Sequence, residues 1–131
     1  MISAEPNDQW LAIENAAIRV ARRLGLPERW LNQDCRSFAY CLAPGWETRC
    51  VGFRRFGPLD VRTVSRLDLI ASKIVSAPKR PQDIEDLCAL RPTQDEFDFA
   101  EDNLDRLERE SLDGKSYEIE RTILKSLRES P

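Results

Sequence analysis

Four charged side chains in the middle of the sequence have types and spacings that could bind an anion: Lys73, Arg80, Asp83 and Asp86. Lysine and arginine neutralise the charge of phosphate groups, and carboxylates hold divalent metal ions or accept protons. The set therefore suits the binding or transfer of a phosphorylated ligand. The alternative is ordinary surface charge, with Asp83 placed at the positive end of a helix.

Two short helices joined by a tight turn must position these side chains. Ser65 predicts the N-cap of the first helix, with Asp68 three residues further on, as in a capping box. Pro78 ends this helix and Pro81 begins the next. The apolar stripe of the first helix is Leu67, Ile70, Ala71, Ile74 and Val75. The buried side of the second helix is predicted to consist of Ile84, Leu87 and Cys88.

The corner between these helices predicts specific contacts. We expect Lys73 to point into a concavity that faces the sheet, close to Asp83. Arg80 should pair with Asp83 or Asp86, because neighbouring cations repel each other when no counter-charge is present.

The pattern Lys-x6-Arg-x2-Asp-x2-Asp-Leu, which begins at Lys73, resembles the C-terminal motif of AbiEii-type nucleotidyltransferase-like toxins and their uncharacterised relatives. Weaker similarity extends back to Trp10 through residues 25–32 and 56–59. The resemblance implies a nucleotidyltransferase fold in a bacterial toxin–antitoxin system. It also implies transfer of a nucleotide from an NTP to an RNA or protein acceptor, with Mg²⁺ as the cofactor and an antitoxin as a partner.

The same resemblance implies a role for each residue of the corner. Lys73 and Arg80 would bind the nucleotide, and Asp86 would support the corner structurally. Asp83 would be the catalytic carboxylate, and Asp60, on a predicted strand, is a further candidate. The metal ligands themselves are not identified by this part of the motif.

The sequence departs from the family pattern before Trp10. Family members carry a Gly-Ser turn and an Asp-x-Asp strand there, which bind phosphate and the divalent metal. Here no glycine precedes Gly25, and the early acidic residues are Glu5, Asp8 and Glu14. We therefore expect a truncated or degenerate relative that is inactive alone and holds no cofactor. The alternative is a non-catalytic module that binds a protein or a nucleotide.

Composition restricts the class of protein. A chain of 131 residues with 41% hydrophobic and 33% charged residues is typical of one soluble domain. We expect a single domain over residues 1–131, with residues 1–6 and 128–131 frayed. The absence of a long apolar run or a basic leader favours a cytoplasmic location.

Residue types also restrict the chemistry. Histidine is absent, which excludes serine–histidine and cysteine–histidine catalysis. The four cysteines, at positions 35, 41, 50 and 88, lack the spacing of metal ligands. We predict that they are reduced and packed as small hydrophobic residues.

Charge is distributed unevenly along the chain. Residues 49–80 contain eight basic and two acidic residues, whereas residues 81–131 contain fifteen acidic and seven basic residues. This distribution suits either an anionic ligand or internal pairing between the two parts. The sequence leaves both interpretations open.

The other segments complete an α+β fold of about five helices around a small sheet with one hairpin. Two strands are predicted within residues 47–64, joined at Gly57-Pro58. Thr93 and Glu96 predict a capping box at the start of a later helix. Because a small sheet leaves edges exposed, we expect a homodimer through residues 48–53 or 59–64. Three helices have predicted inward residues: 10, 13, 17, 20 and 24; then 97, 100, 104 and 107; then 119, 123, 124 and 127.

Overall fold

Seven helices and one β-hairpin make up the part of the chain that the structure describes. The structure is a computed structural model, and it describes the backbone of residues 6–130 and the side chains of residues 9–130. The elements are α1 (Pro6–Leu24), a 3₁₀ helix (Asp34–Cys41), α2 (Trp46–Arg49), β1 (Val51–Phe56), β2 (Leu59–Thr63), α3 (Arg66–Ser76), α4 (Gln82–Leu90), α5 (Gln94–Glu110) and α6 (Glu118–Glu129). The predicted α+β class is confirmed, with more helices than expected.

The ends of the chain are only partly covered by this description. The fraying predicted for residues 1–5 and for Pro131 lies outside the described residues. Pro6 already belongs to α1, and α6 continues to Glu129. The described chain divides into two compact units, residues up to Ala39 and residues from Tyr40 onward.

The first unit contains α1 and the segment that follows it. The indole of Trp30 donates a hydrogen bond from Nε1 to the carbonyl oxygen of Ala17, at 2.8 Å. Ala17 and Ala21 are buried on α1, whereas Leu24 is exposed. Val20 is exposed as well, so the predicted inward positions of Val20 and Leu24 are wrong, and the buried residues of this helix are the small Ala17 and Ala21.

Helix α3 lies at the centre of the second unit and packs against α4, α5 and α6. Its predicted apolar stripe is confirmed, since Ile70, Ala71, Ile74 and Val75 are all buried. The other core residues are Cys41, Leu87, Phe97, Ala100, Leu104, Leu107, Tyr117 and Leu124. The stripe that repeats every three to four residues thus becomes the surface on which three other helices assemble.

The two helices that follow α3 differ from prediction at single positions. On α4, Leu87 is buried and Leu90 packs against the core, but Cys88 is exposed, so its predicted burial is wrong. Leu87 and Leu90 are three residues apart and share one edge of a short helix, which leaves Cys88 on another face. On α6, Ile119 is 64% exposed and was wrongly predicted to face inward. Tyr117, just before α6, is buried instead.

Helix α5 follows its prediction closely. Thr93 and Glu96 form the predicted capping box, in which each side chain accepts a hydrogen bond from the backbone N–H of the other residue. The predicted inward residues Phe97, Ala100, Leu104 and Leu107 are all buried. This helix therefore has both a defined start and a continuous apolar face.

The hairpin forms as predicted between Phe56 and Leu59, but it begins later and is not covered. Residues 46–49 form a helical turn, and the first strand starts only at Val51. Gly57 has a φ of 58°, which a residue without a side chain adopts readily at the first position of a two-residue turn. No helix of the second unit packs extensively on either strand, so these helices pack mainly on one another.

The four cysteines are free thiols, as predicted. Cys41 is buried in the core of the second unit and behaves as a small hydrophobic residue. Cys35 and Cys88 are exposed, so the prediction that all four are packed is wrong for these two. None of the helices between residues 6 and 130 combines the length and the apolar character that crossing a bilayer requires.

Candidate functional site at the corner between α3 and α4

A tight turn at the end of α3 brings the predicted charged residues together. Ser65 caps the start of α3 by accepting a hydrogen bond from the Asp68 N–H, as predicted. After the helix ends at Ser76, the Arg80 N–H donates to the carbonyl oxygens of Ser76 and Ala77. The chain then reverses into α4, so that the last turn of α3 lies beside the first turn of α4.

Lys73 is the central residue of this corner. Its Nζ lies 3.1 Å from Oδ1 of Asp83 and 2.7 Å from Oδ2 of Asp86. The lysine side chain is 20% exposed, that of Asp83 is 2% exposed and that of Asp86 is 40% exposed. The hydrogen bond to Asp86 raises the pKa of Lys73, and the bond to Asp83 adds to this effect against the opposing effect of burial. Lys73 is therefore held as a cation between two carboxylates.

Asp83 uses both of its carboxylate oxygens. The Ser76 hydroxyl donates to Oδ2 while Lys73 donates to Oδ1, and the Arg80 guanidinium lies 4.0 Å from Oδ2. Burial alone would raise the pKa of Asp83, but hydrogen bonds from Ser76 and Lys73 outweigh it and lower the pKa. Asp83 is thus a stable anion whose acceptor positions are already filled.

The same contacts argue against a divalent metal at the corner. A Mg²⁺ ion requires free carboxylate oxygens at about 2.0–2.1 Å. Here the ammonium group of Lys73 occupies the space between Asp83 and Asp86 where such an ion would lie. Among the side chains of residues 9–130, no group of three or more metal-binding residues comes together. These residues therefore do not fit the cofactor that the resemblance implies.

Two further cations lie at the outside of the corner. Lys79 is exposed, and the Arg80 side chain is 69% exposed. Because Asp83 is 4.0 Å away, it balances Arg80 only weakly, whereas Lys73 is closely paired. The exposed surface of the turn is accordingly cationic, whereas Lys73 and its two carboxylates behind it carry one net negative charge.

The geometry brings together four of the five residues predicted for the site. Lys73, Arg80, Asp83 and Asp86 share the corner, with the predicted pairing of Arg80 and Asp83 at the limit of an ion pair. Asp60 is placed elsewhere, since it lies on β2 with Oδ2 3.0 Å from Nε of Arg62.

We expected Lys73 to point into a concavity that faces the sheet, but its side chain does not face the sheet. The hairpin does not pack against α3, so Lys73 faces the start of α4 instead. A cavity of about 620 Å³ is present in the second unit, and Lys73 is not among its lining residues. The cavity is lined by Leu87, Cys88, Arg91, Pro92, Gln94, Phe97, Leu127, Arg128 and Ser130.

Sequence reasoning did not identify two ion pairs that hold buried carboxylates elsewhere in the second unit. Arg49 binds both carboxylate oxygens of Asp68, at 2.9 and 2.8 Å, and the Asp68 side chain is fully buried. Arg66 donates to Glu96 at 2.7 Å and to the Leu90 carbonyl oxygen at 2.5 Å. The capping motifs marked Asp68 and Glu96 in the sequence, but nothing local specified their distant arginine partners.

Some of the basic residues in residues 49–80 pair internally with carboxylates. Arg49, Arg66 and Lys73 in the basic segment are neutralised internally. Arg54 and Arg55 on β1 form no ion pair with any described residue: Arg54 lies over the Phe56 ring at 5.8 Å, and Arg55 donates to the Gly57 carbonyl oxygen. Internal pairing therefore neutralises Arg49, Arg66 and Lys73, whereas Arg54 and Arg55 on the hairpin remain available.

Comparison with known proteins identifies no relative of this chain. No protein-family model matches the chain, and neither a curated protein nor a solved structure is significantly similar to it. The resemblance to nucleotidyltransferase-like toxins therefore rests on sequence motifs, of which the one that begins at Lys73 is the specific one.

Proposed function

We propose that this chain is a nucleotidyltransferase-like protein whose α3–α4 corner binds the phosphate groups of a nucleoside triphosphate. The observation that carries the proposal is the convergence of Lys73, Arg80, Asp83 and Asp86, the residues of the resembling motif, at one corner. In the proposed ancestral reaction the nucleotide passes from an NTP to an RNA or protein acceptor, and an antitoxin is the proposed partner.

The two carboxylates and the cations have separate roles in this proposal. Asp83 and Asp86 hold Lys73 in one position, which removes the entropy cost of ordering a long side chain when a ligand binds. Lys79 and Arg80 project from the turn and supply the attraction for a phosphate group. Lys73 contributes its remaining N–H, since an ammonium group has three donors and two are used.

Both carboxylate oxygens of Asp83 already accept hydrogen bonds, which favours a binding role over a catalytic role for this corner. A carboxylate that already accepts from Ser76 and Lys73 would have to lose a partner before it could accept a proton or hold a metal ion. We propose that these residues alone do not transfer a nucleotide. Incubation of the purified chain with labelled NTPs, Mg²⁺ and bulk tRNA or protein should leave no covalent label, and labelling that survives repurification would contradict this.

Titration calorimetry with each of the four ribonucleoside triphosphates, and with inorganic triphosphate, tests the binding proposal. Replacing both outer cations, in a Lys79→Ala, Arg80→Ala double variant, should weaken binding about tenfold or more. Lys125→Ala is the matched control, because Lys125 is an exposed lysine on α6, away from the corner motif. Equal affinity in parent, variant and control, or no affinity in the parent, would refute a phosphate site here.

A non-catalytic module that binds a protein is the second candidate. The observation that favours it is the uncovered hairpin, which presents apolar side chains and unpaired arginines to solvent. The two candidates concern different surfaces of the second unit and can be tested separately.

A further inference from the structure

The hairpin formed by β1 and β2 exposes apolar surface along its whole length. Every residue of β1 is exposed, with Val51 at 57%, Phe53 at 69% and Phe56 at 51%. On β2, Leu59 is 39% exposed and Val61 is partly buried. A two-stranded ribbon is marginally stable alone in water, and contiguous exposed apolar patches mark interaction sites.

The register of the two strands separates the side chains into two faces. Val51 lies opposite Thr63, Arg54 opposite Val61, and Phe56 opposite Leu59, so these six side chains share one face. The other face carries Arg55 opposite Asp60 and Gly52 opposite Arg62. One face is therefore largely apolar, and the other is polar with an excess of arginine.

Charge on the hairpin is unbalanced on the side of β1. Arg62 pairs with Asp60 within β2, at 3.0 Å. Arg54 and Arg55 are adjacent on β1 and have no carboxylate partner among the side chains of residues 9–130. An occupant of the β1 side should therefore be anionic.

The outer edge of β1 also leaves backbone groups without a neighbouring strand. The sheet has two strands in the described chain, so β1 has β2 on one side only. An edge strand presents unpaired N–H and C=O groups that another strand can pair with. The irregularity between Gly52 and Arg54 leaves Phe53 without a directly paired residue on β2, so its aromatic ring is free to contact an added strand.

A second copy of the chain is a poor occupant for this edge. Two β1 strands paired edge to edge would bring together Arg54 and Arg55 from both copies. Like charges in neighbouring positions of a sheet are destabilising. The expected homodimer through the hairpin is thus disfavoured on the β1 side by the charge of the strand itself.

We propose that the outer edge of β1 pairs with an extended, acidic segment of a partner protein, one that alternates acidic and apolar residues. Its backbone pairs with β1, its apolar side chains cover Val51 and Phe56 on one face, and its carboxylates lie beside Arg55 on the other face. Main-chain hydrogen bonds then provide affinity, while alternate side chains provide specificity.

A protein strand accounts for more of the surface than a nucleic acid would. A single-stranded nucleic acid could stack on Phe53 and neutralise the arginines. It would leave the strand edge without backbone partners and the aliphatic side chains Val51 and Leu59 without apolar cover. The backbone and the apolar face together favour the strand.

The experiment uses the full chain and a fluorescein-labelled peptide of alternating glutamate and valine as the probe. Fluorescence anisotropy measures its affinity, and NMR of the ¹⁵N-labelled chain maps its position. We expect shifts concentrated in residues 51–56 and an affinity that falls about tenfold or more in an Arg54→Glu, Arg55→Glu double variant. Lys125→Glu, a charge reversal on α6, should leave the affinity unchanged.

Matched probes separate strand pairing from charge attraction. A peptide of the same sequence with N-methylated alternate residues cannot pair through its backbone and should not bind, and a lysine–valine peptide should not bind either. Equal binding of the N-methylated peptide, or no binding of the parent peptide, would overturn the proposal. Arginine-dependent binding of oligo(dT) instead of the peptide would overturn it in favour of nucleic acid. A dimer seen by light scattering, and lost in Phe53→Ser, would overturn it in favour of a second copy.

Discussion

At the scale of single residues, three buried carboxylates depend on cations from other segments. Asp68 is held by Arg49, Asp83 by Lys73, and Glu96 by Arg66, which lies thirty residues earlier in the chain. Burial of an unpaired carboxylate costs several kcal/mol in a folded protein, so each pair must be intact for the surrounding helices to pack. Because of these pairs, single substitutions of charged residues can lower the stability of the fold as much as substitutions in the apolar core.

Asp68 should be among the most costly single residues to truncate outside the apolar core. Asp68→Ala leaves Arg49 without its bidentate partner and removes the acceptor for the Ser65 hydroxyl. We expect a loss of about 3–5 kcal/mol in the free energy of unfolding, measured by urea denaturation. Asp60→Ala on the exposed hairpin should change it by about 0–1 kcal/mol. Equal effects at the two sites would mean that the Arg49–Asp68 pair is not formed in solution.

Acid should destabilise the protein through the same carboxylates. Burial raises the pKa of Asp68, but hydrogen bonds from Arg49 and Ser65 outweigh it and lower the pKa, and the pKa of Asp83 is lowered similarly. A depressed folded-state pKa stabilises the fold above the unfolded-state pKa of about 4, and this contribution is lost as the pH falls through the folded-state pKa.

Urea denaturation across a pH series checks this expectation. The free energy of unfolding should be nearly constant at neutral pH and decrease as the pH falls below about 4. The variant Asp68→Asn should be less stable at neutral pH and show a shallower decrease in acid. An unchanged slope in that variant would show that Asp68 is not the titrating group.

Substitutions of Lys73 and of Asp86 should change the free energy of unfolding by different amounts. A lysine that served only to contact a ligand could be replaced with little effect on stability. In the structure Lys73 is the closest cation to the nearly fully buried Asp83, so we expect Lys73→Met to cost about 1–3 kcal/mol. Asp86→Asn should cost less, since Asp86 is 40% exposed. A neutral Lys73→Met would support a role for the lysine in ligand binding alone.

At the scale of secondary-structure elements, the hairpin and the helices contribute unequally to the fold. Helix α3 contacts three other helices, whereas no helix of the second unit packs extensively on β1 or β2. Helices α5 and α6 are joined further by arginines: Arg121 binds Asp105 and Glu108, and Arg128 binds Asp98 and Glu101. The hairpin therefore contributes little to the packing of the helical core.

Substitutions in the hairpin should be tolerated where equivalent substitutions in α3 are not. Phe53→Ser exposes no new apolar surface, so the free energy of unfolding should change by about 0.5 kcal/mol or less. Ile74→Ala, at a fully buried position, should cost about 2–5 kcal/mol through the cavity it leaves. Thermal and urea unfolding of both variants measure the difference, and comparable losses would mean that the hairpin is packed in solution.

At the scale of the whole molecule, the apolar core that includes α3 lies entirely within the second compact unit. All residues of this cluster lie at or after Cys41. The side-chain hydrogen bond from Trp30 to Ala17, in contrast, lies within the first unit. Each unit therefore has local contacts of its own.

A fragment of residues 40–131 should fold without the first unit. Its core cluster, capping box and α5–α6 ion pairs are all retained, so cooperative urea unfolding and an α-helical circular dichroism spectrum are expected. A fragment that is unfolded, or that unfolds without cooperativity, would show that residues 1–39 are needed to complete the core.

Local patterns in the sequence were sufficient for features that depend on neighbouring residues. The caps at Ser65 and Thr93, the apolar stripe on α3 and the turn at Gly57 follow from hydrogen bonds and spacing within a few residues. The convergence of Lys73 with Asp83 and Asp86 also followed from sequence, because a tight turn with prolines at both ends leaves adjacent helices few arrangements.

Tertiary structure decided the features that depend on distant partners. The pairing of Arg49 with Asp68 and of Arg66 with Glu96, the exposure of Cys88 and Ile119, and the uncovered hairpin required knowledge of which helix packs on which. Periodicity shows that a helix has an apolar face, but the exact buried positions depend on the elements that meet that face. For the same reason the sequence determined which residues form the corner, and only the fold showed that Lys73, and not Arg80, bridges its two carboxylates.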